Sequence, residues 1–154
     1  MRTAIGPRNV PSVVLNRSSI PDADYADWFT TATAGTASPE EYARSMFGDS
    51  PGWQVKLVWG FLLRLRLIRN ASPDSVAGYR IASRGSRWIR LEASSRSLTS
   101  NLIVATDGGE VSLATLMRYD RWPGRVRWSL LSPVHRTAAP GLLARTVVAL
   151  SRSG

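Results

Sequence analysis

Few residues in this chain have real chemical reach, and His135 comes first. It is the single histidine, held in the stretch SLLSPVHRTAAP between Pro133 and Pro140, and imidazole is the side chain best suited to move protons near neutral pH. Base catalysis also needs a partner that orients or activates the ring, and no Ser-His-Asp or Cys-His pattern accompanies it. Three roles stay open for His135: a hydrogen bond to carbonyls exposed at a proline break, a polar contact in a ligand cavity, or a general base. A helix running from Pro133 places it on one stripe with Ala138, Leu142 and Ala149, a stripe that faces inward.

Arginine is the next group able to bind something. Arg80, Arg87, Arg90 and Arg118 fall within stretches of strand pattern, where they are either solvated surface charges or, if turned into a cavity, bidentate partners for a carboxylate or phosphate. Arg118 is the best placed of these, because Ser112, Ala114 and Leu116 precede it on its face. Of the six tryptophans, Trp53, Trp59, Trp88 and Trp128 fall in expected elements, as core or as an aromatic pocket wall. Carboxylates offer less. Asp22, Asp24 and Asp27 gather at the first strand pattern, Glu40 and Glu41 open a helix, Asp107 and Glu110 flank a turn, and only Glu92 lies in mid-strand, so no pair suited to glycoside hydrolysis is indicated.

Composition narrows the chemistry further. The 154 residues contain no cysteine, which excludes disulfides, thiolate nucleophiles and sulfur-ligated metals. One histidine and scattered carboxylates lead us to expect no metal and no cofactor. The net charge of +9 rests on 20 basic residues of which only Lys56 is lysine. Such a balance suits phosphate-rich partners, but the arginines run from Arg2 to Arg152 without forming a block. Arg-Trp interleaving in RGSRWIR and RYDRWPGRVRW could stack on bases, yet no RNA-binding signature accompanies it and no nucleic acid is expected.

These side chains are positioned by an α+β succession of elements. Residues 1–21, rich in Pro, Asn, Ser and Arg, read as a flexible N-terminal arm. They also lack the continuous apolar run of a secretory signal. From residue 22 to 154 we expect a single domain. YADWFTTATA suits a strand. SPEEYARSMFG carries Ser38 as N-cap, Pro39 at the first helical position, Glu41 completing a capping box and Gly48 as terminator. A second helix is expected from Pro51 to about Leu65, with Lys56, Gly60 and Arg64 on one polar stripe, either buried on a sheet or lying on a membrane surface. Its apolar run is too interrupted to span a bilayer, and a cytoplasmic location is expected.

After NASPDS the period changes to two. AGYRIASR, SRWIRLEAS, SLTSNLIVAT and EVSLATLMRY form an antiparallel meander, with Asp107-Gly108-Gly109 marking a hairpin. The last strand carries Val111, Leu113, Thr115, Met117 and Tyr119 on one face and Ser112, Ala114, Leu116 and Arg118 on the other. The tail reads as helix from Pro123, with Ser132-Pro133 as a second cap and first position and Pro140 as a kink, so that two helical pieces or one long bent helix end the chain.

This order resembles the helix-grip fold of the SRPBCC superfamily, which includes START, Bet v 1 and polyketide cyclase types. Within it, LATLMRYDRWPGRVRWSLLSPVHRTAAP is similar to the closing segment of the bacterial domain-of-unknown-function family 2867, through Arg118-Tyr119, Gly124-Arg125, Trp128 and Pro133-Val134-His135-Arg136. The chain departs from that pattern at Arg96-Ser97-Leu98-Thr99-Ser100-Asn101, where relatives carry a basic-His-Leu-Asp run. The resemblance implies a curved sheet around a long C-terminal helix, enclosing a cavity for a small hydrophobic molecule, to which an inward-pointing Arg118 would add an anionic end. Trp59, Trp88, Arg118, Tyr119, Trp128 and His135 are then the expected ligand-binding residues, with binding and no covalent catalysis as the expected activity. A cyclase- or isomerase-like use of His135 and Arg118, and a basic module for a membrane surface or a protein, are the alternatives. Some relatives are fused to a nucleotide-binding Rossmann domain, which makes an NAD(P)-binding partner conceivable; this chain has no GxGxxG of its own.

Overall fold

The computed structural model describes residues 1–49, 60 and 63–153. Its strands are β1 (Arg2–Ile5), β2 (Tyr25–Ala32), β3 (Ser75–Val76), β4 (Tyr79–Arg84), β5 (Trp88–Ser94), β6 (Leu98–Asp107) and β7 (Glu110–Tyr119), and its helices α1 (Ser12–Arg17), α2 (Pro39–Phe47) and α3 (Trp122–Ser153). Turn chemistry sets the framework. Gly108 and Gly109 take φ of +55° and +78°, the left-handed pair of a type I′ turn, and Asp107 faces Glu110 across it. The meander from β3 to β7 follows, every neighbour antiparallel, as the period-two pattern predicts.

Closure of the sheet comes from β2, which leaves the meander order and pairs along its length with β7, from Tyr25 opposite Met117 to Ala32 opposite Glu110. With β1 outside β2, the seven strands lie in the order β1-β2-β7-β6-β5-β4-β3. One face carries Tyr25 and Phe29 of β2, Leu113 and Met117 of β7, Leu102 and Val104 of β6 and Leu91 of β5, all in the main core. Helix α3 packs on this face against β2 and β7, and α2 covers β5 and β6. Trp128, Ala139 and Leu143, at most 4% exposed, are the anchors of α3.

Helix α2 forms as its local signals dictate. The Ser38 hydroxyl accepts the Glu41 amide, and the Glu41 carboxylate accepts the Ser38 amide at 2.7 Å. Of the two readings of the tail, one continuous helix is the outcome: α3 runs through both Pro133 and Pro140, with Ser132 buried on it. Burial of successive turns on β2 and β7 outweighs the two missing amide donors.

The N-terminal segment, expected as a flexible arm, is part of the fold. Strand β1 extends the sheet through β2, and Val10, Val14 and Ile20 are buried. Val10 and Val14 join Ala26, Ile103, Ala114 and Leu116 in a second core on the face away from α3. Asn101 fastens the segment, its side-chain oxygen accepting from the Ser19 amide at 2.8 Å and from the Ser18 hydroxyl at 3.0 Å. The helix expected from Pro51 to about Leu65 lies almost wholly outside the described residues.

Candidate functional site

The strongest concentration of polar chemistry lies under α3. Alternation along β2 sends Tyr25, Asp27 and Phe29 toward the helix, and the same alternation in β7 sends Thr115 there. His135 reaches down between them. Its Nε2 lies 3.1 Å from Asp27 Oδ2 and 3.1 Å from Thr115 Oγ1, with the ring against Trp128 at 5.3 Å between centroids and Phe29 at 6.5 Å. Asp27, fully buried, also accepts from the Tyr25 hydroxyl at 2.5 Å. Arg136, the next residue of α3, donates to the Tyr25 oxygen at 3.2 Å and stands over its ring. Burial first, then the adjoining Asp27 carboxylate, push the Tyr25 hydroxyl well above the ordinary phenol range, so it is a fixed donor.

The geometry decides what this network does. In a nucleophilic triad the carboxylate and the hydroxyl sit on opposite nitrogens of the imidazole, so that a proton drawn from one side is balanced on the other. Here Asp27 and Thr115 both address Nε2. Thr115 is therefore not poised as a nucleophile through His135. Asp27, Tyr25, Thr115 and His135 form a buried polar clasp between sheet and helix, and Asp27 Oδ1 has no hydrogen-bond partner among the described residues.

The residues expected to bind ligand separate into two groups. Trp128 and His135 meet in the clasp. Tyr119, on the same β7 face as Thr115, packs at the edge of the main core, its hydroxyl raised by burial and then by Asp24. Arg118 lies on the opposite face of β7, where Nε donates to Asp120 at 2.7 Å and Nη2 to Thr99 at 3.4 Å. Arg118 and His135 therefore do not converge. Trp88 also stands on the far face, beneath the Arg17 guanidinium at 5.8 Å. Both placements have one cause: strand alternation puts Arg118 and Trp88 out of phase with the face that α3 covers. Trp59 lies outside the described residues.

Sequence reasoning missed Asp27, Thr115, Tyr25 and Arg136. A signal for Asp27 was present, since an acid flanked at period two by Tyr25 and Phe29 is forced onto an aromatic, buried face. Beneath the middle of α3, Tyr25, Trp128, Phe29 and His135 pack ring against ring. A recess of about 480 Å³ opens at the C-terminal end of the helix, lined by Ala34, Gly35, Thr36, Ala37, Glu41 and Leu150 among others. Helix α3 runs alongside β2, so this recess and the clasp lie on one seam, at its end and its middle. The described residues hold no group of three His, Asp or Glu suited to a metal ion. No known protein-family model matches the chain, and no curated protein matches it.

Proposed function

We propose that the protein is a helix-grip binding module of SRPBCC type, and that it holds a small, mainly apolar molecule at the open end of the seam between sheet and C-terminal helix. The observation that carries this reading is the recess of about 480 Å³ between the 34–37 loop and Leu150, within the range of small-molecule sites. Topology supports the fold: β2 pairs with the last strand of the meander, immediately before a helix of 32 residues that lies across both. Strand β1 is an addition outside that arrangement.

The recess also defines the ligand's polar end. Ala34, Ala37 and Leu150 supply apolar wall, while Glu41 stands at its edge, held below the usual carboxylate range by the Ser38 backbone and side-chain hydrogen bonds. A carboxylate held below its usual range favours a hydroxyl or amine on the ligand over an anion. The anionic end expected from Arg118 loses its support, because that side chain is paired on the other face. The same separation removes the motive for a cyclase-like pairing of Arg118 with His135.

Native mass spectrometry of the purified protein, with organic extraction of bound material, tests the reading. A co-purified apolar molecule absent from Ala37→Trp but retained by His135→Ala places the ligand in the recess. Failure to retain any member of a panel of fatty acids, sterols and polyketide-like aromatics, by a folded protein, refutes it.

A further inference from the structure

At the opposite end of α3, five arginines gather around one cleft. Arg64, Arg66, Arg96, Arg121 and Arg127 line about 410 Å³ of space between the β5–β6 turn and the helix start. None has a carboxylate within 4 Å among the described residues, whereas Arg2, Arg44, Arg80, Arg84, Arg87, Arg90 and Arg118 each pair with Asp or Glu. Uncompensated like charge repels itself and concentrates external anions.

The fold holds this cluster firmly. Ser97 O accepts the amides of both Asp120 and Arg121, at 3.0 and 3.2 Å. Gly124 is pressed so closely on the same turn that a Cβ there would stand 2.0 Å from Ser97 O. That close approach sets Arg121 and Arg127 beside Arg96, with Arg127 Nη1 reaching Ser97 Oγ at 3.4 Å.

An independent feature adjoins the cleft. Trp122, Val126, Leu130 and Val134, 77%, 47%, 74% and 66% exposed, recur every four residues and form an apolar stripe on the outer side of α3. Helical spacing sets Pro123 and Arg127, both cleft residues, three positions before Val126 and Leu130. Helix α3 contains no acidic residue at all.

We infer that this end of the molecule docks on an anionic lipid surface, with the Trp122–Val134 stripe inserted among the acyl chains and the five cleft arginines on lipid phosphates. An exposed aromatic-aliphatic stripe flanked by arginine is what interfacial binding requires. Three of its four residues are aliphatic, which suits hydrocarbon and not base stacking, and the single sign of charge selects anionic headgroups. No helix among the described residues is long and apolar enough to cross a membrane, so the association is peripheral. This inference does not depend on the recess at the other end of α3.

Co-sedimentation with vesicles of phosphatidylcholine, alone or with phosphatidylglycerol at roughly 3:1, is the test. Binding is expected on the anionic vesicles only and to weaken as salt rises. Arg96→Gln and Arg127→Gln each lower the partition coefficient about fivefold at low salt, and Leu130→Ser lowers it about tenfold or more. A blue shift of tryptophan emission on binding, lost in Trp122→Phe, reports insertion. No binding at low salt overturns the inference. So does equal binding to neutral vesicles, displacement by inorganic phosphate with Leu130→Ser silent, or tighter binding to single-stranded RNA through the same arginines.

Discussion

Replacement of His135 by alanine tests the clasp most directly. Asp27 is wholly buried and has two donors, Tyr25 at 2.5 Å and His135 at 3.1 Å. Removing the imidazole leaves a buried carboxylate on the Tyr25 hydroxyl alone and opens space beside Trp128 and Phe29. Stripping one partner from a buried pair costs roughly 3–5 kcal/mol, and the lost packing adds to it, so ~4 kcal/mol is a conservative figure against a domain stability of about 5–15 kcal/mol. For a chain of this size that is a fall in Tm of roughly 10 °C. The diagnostic is the coupling. In an Asp27→Asn background there is no charge left to strand, so His135→Ala should cost at least ~1.5 kcal/mol less than in the wild type. Urea unfolding followed by tryptophan fluorescence measures all four corners of the cycle. Additivity within about 0.5 kcal/mol would refute the clasp and reduce His135 to a packing residue.

Other expectations are simpler. Ser38→Ala removes one half of the capping box and should lower stability by about 1 kcal/mol, read from the urea midpoint. Gly124→Ala forces a methyl against Ser97 O, and because the obstacle is backbone the loss should reach about 1–3 kcal/mol, with the same substitution at Gly141, where a Cβ meets nothing, far milder. Stability should decline in acid: burial opposes it, yet hydrogen bonds from Arg44 and Arg84 hold Glu40 below its ordinary range, and Thr99 and Arg118 do the same for Asp120 against its own desolvation. Depressed folded values mean stabilisation present above about pH 4 and lost as pH falls through them, so denaturant midpoints should drop there and drop less in Glu40→Gln. Burial raises Tyr79, and burial with Asp27 raises Tyr25. These two phenols stabilise the fold below about pH 10 and stop doing so as pH climbs toward their folded values, so absorbance titration should show them ionising only with unfolding.

Local rules carried the reading where the structure is local. The capping box of α2, the Asp107-Gly108-Gly109 turn and the four long strands of the meander depend on neighbours within a few residues, and each was legible. Pairings between distant segments were not. Nothing in RTAI or SVVLNR announces that β1 will meet β2 or that Val10 and Val14 will cover Ala114 and Leu116, because the apolar residues there are few and set among Pro, Asn and Ser. Asp27 was visible as an acid but not as a buried one, since its burial depends on a helix a hundred residues away. Arg118 shows the limit of strand alternation: the sequence separates two faces correctly without saying which one the long helix will cover. Pro133 illustrates the reverse, a strong local signal overruled by burial of the helix on both sides of it.

The pairing of β2 with β7 also imposes a schedule on synthesis. Tyr25 finds Met117 and Ala32 finds Glu110, so the early strand leaves the ribosome with neither its sheet neighbour nor its covering helix. At about 5–20 residues per second it waits on the order of ten seconds for them, with Tyr25, Ala26 and Phe29 exposed to whatever else is present. Loop-closure entropy delays the pairing further once the partner has emerged. The sequential pairings from β4 to β7 form from local contacts as they emerge, so β2 should be among the last strands to join, and chaperone engagement should fall on the segment around it.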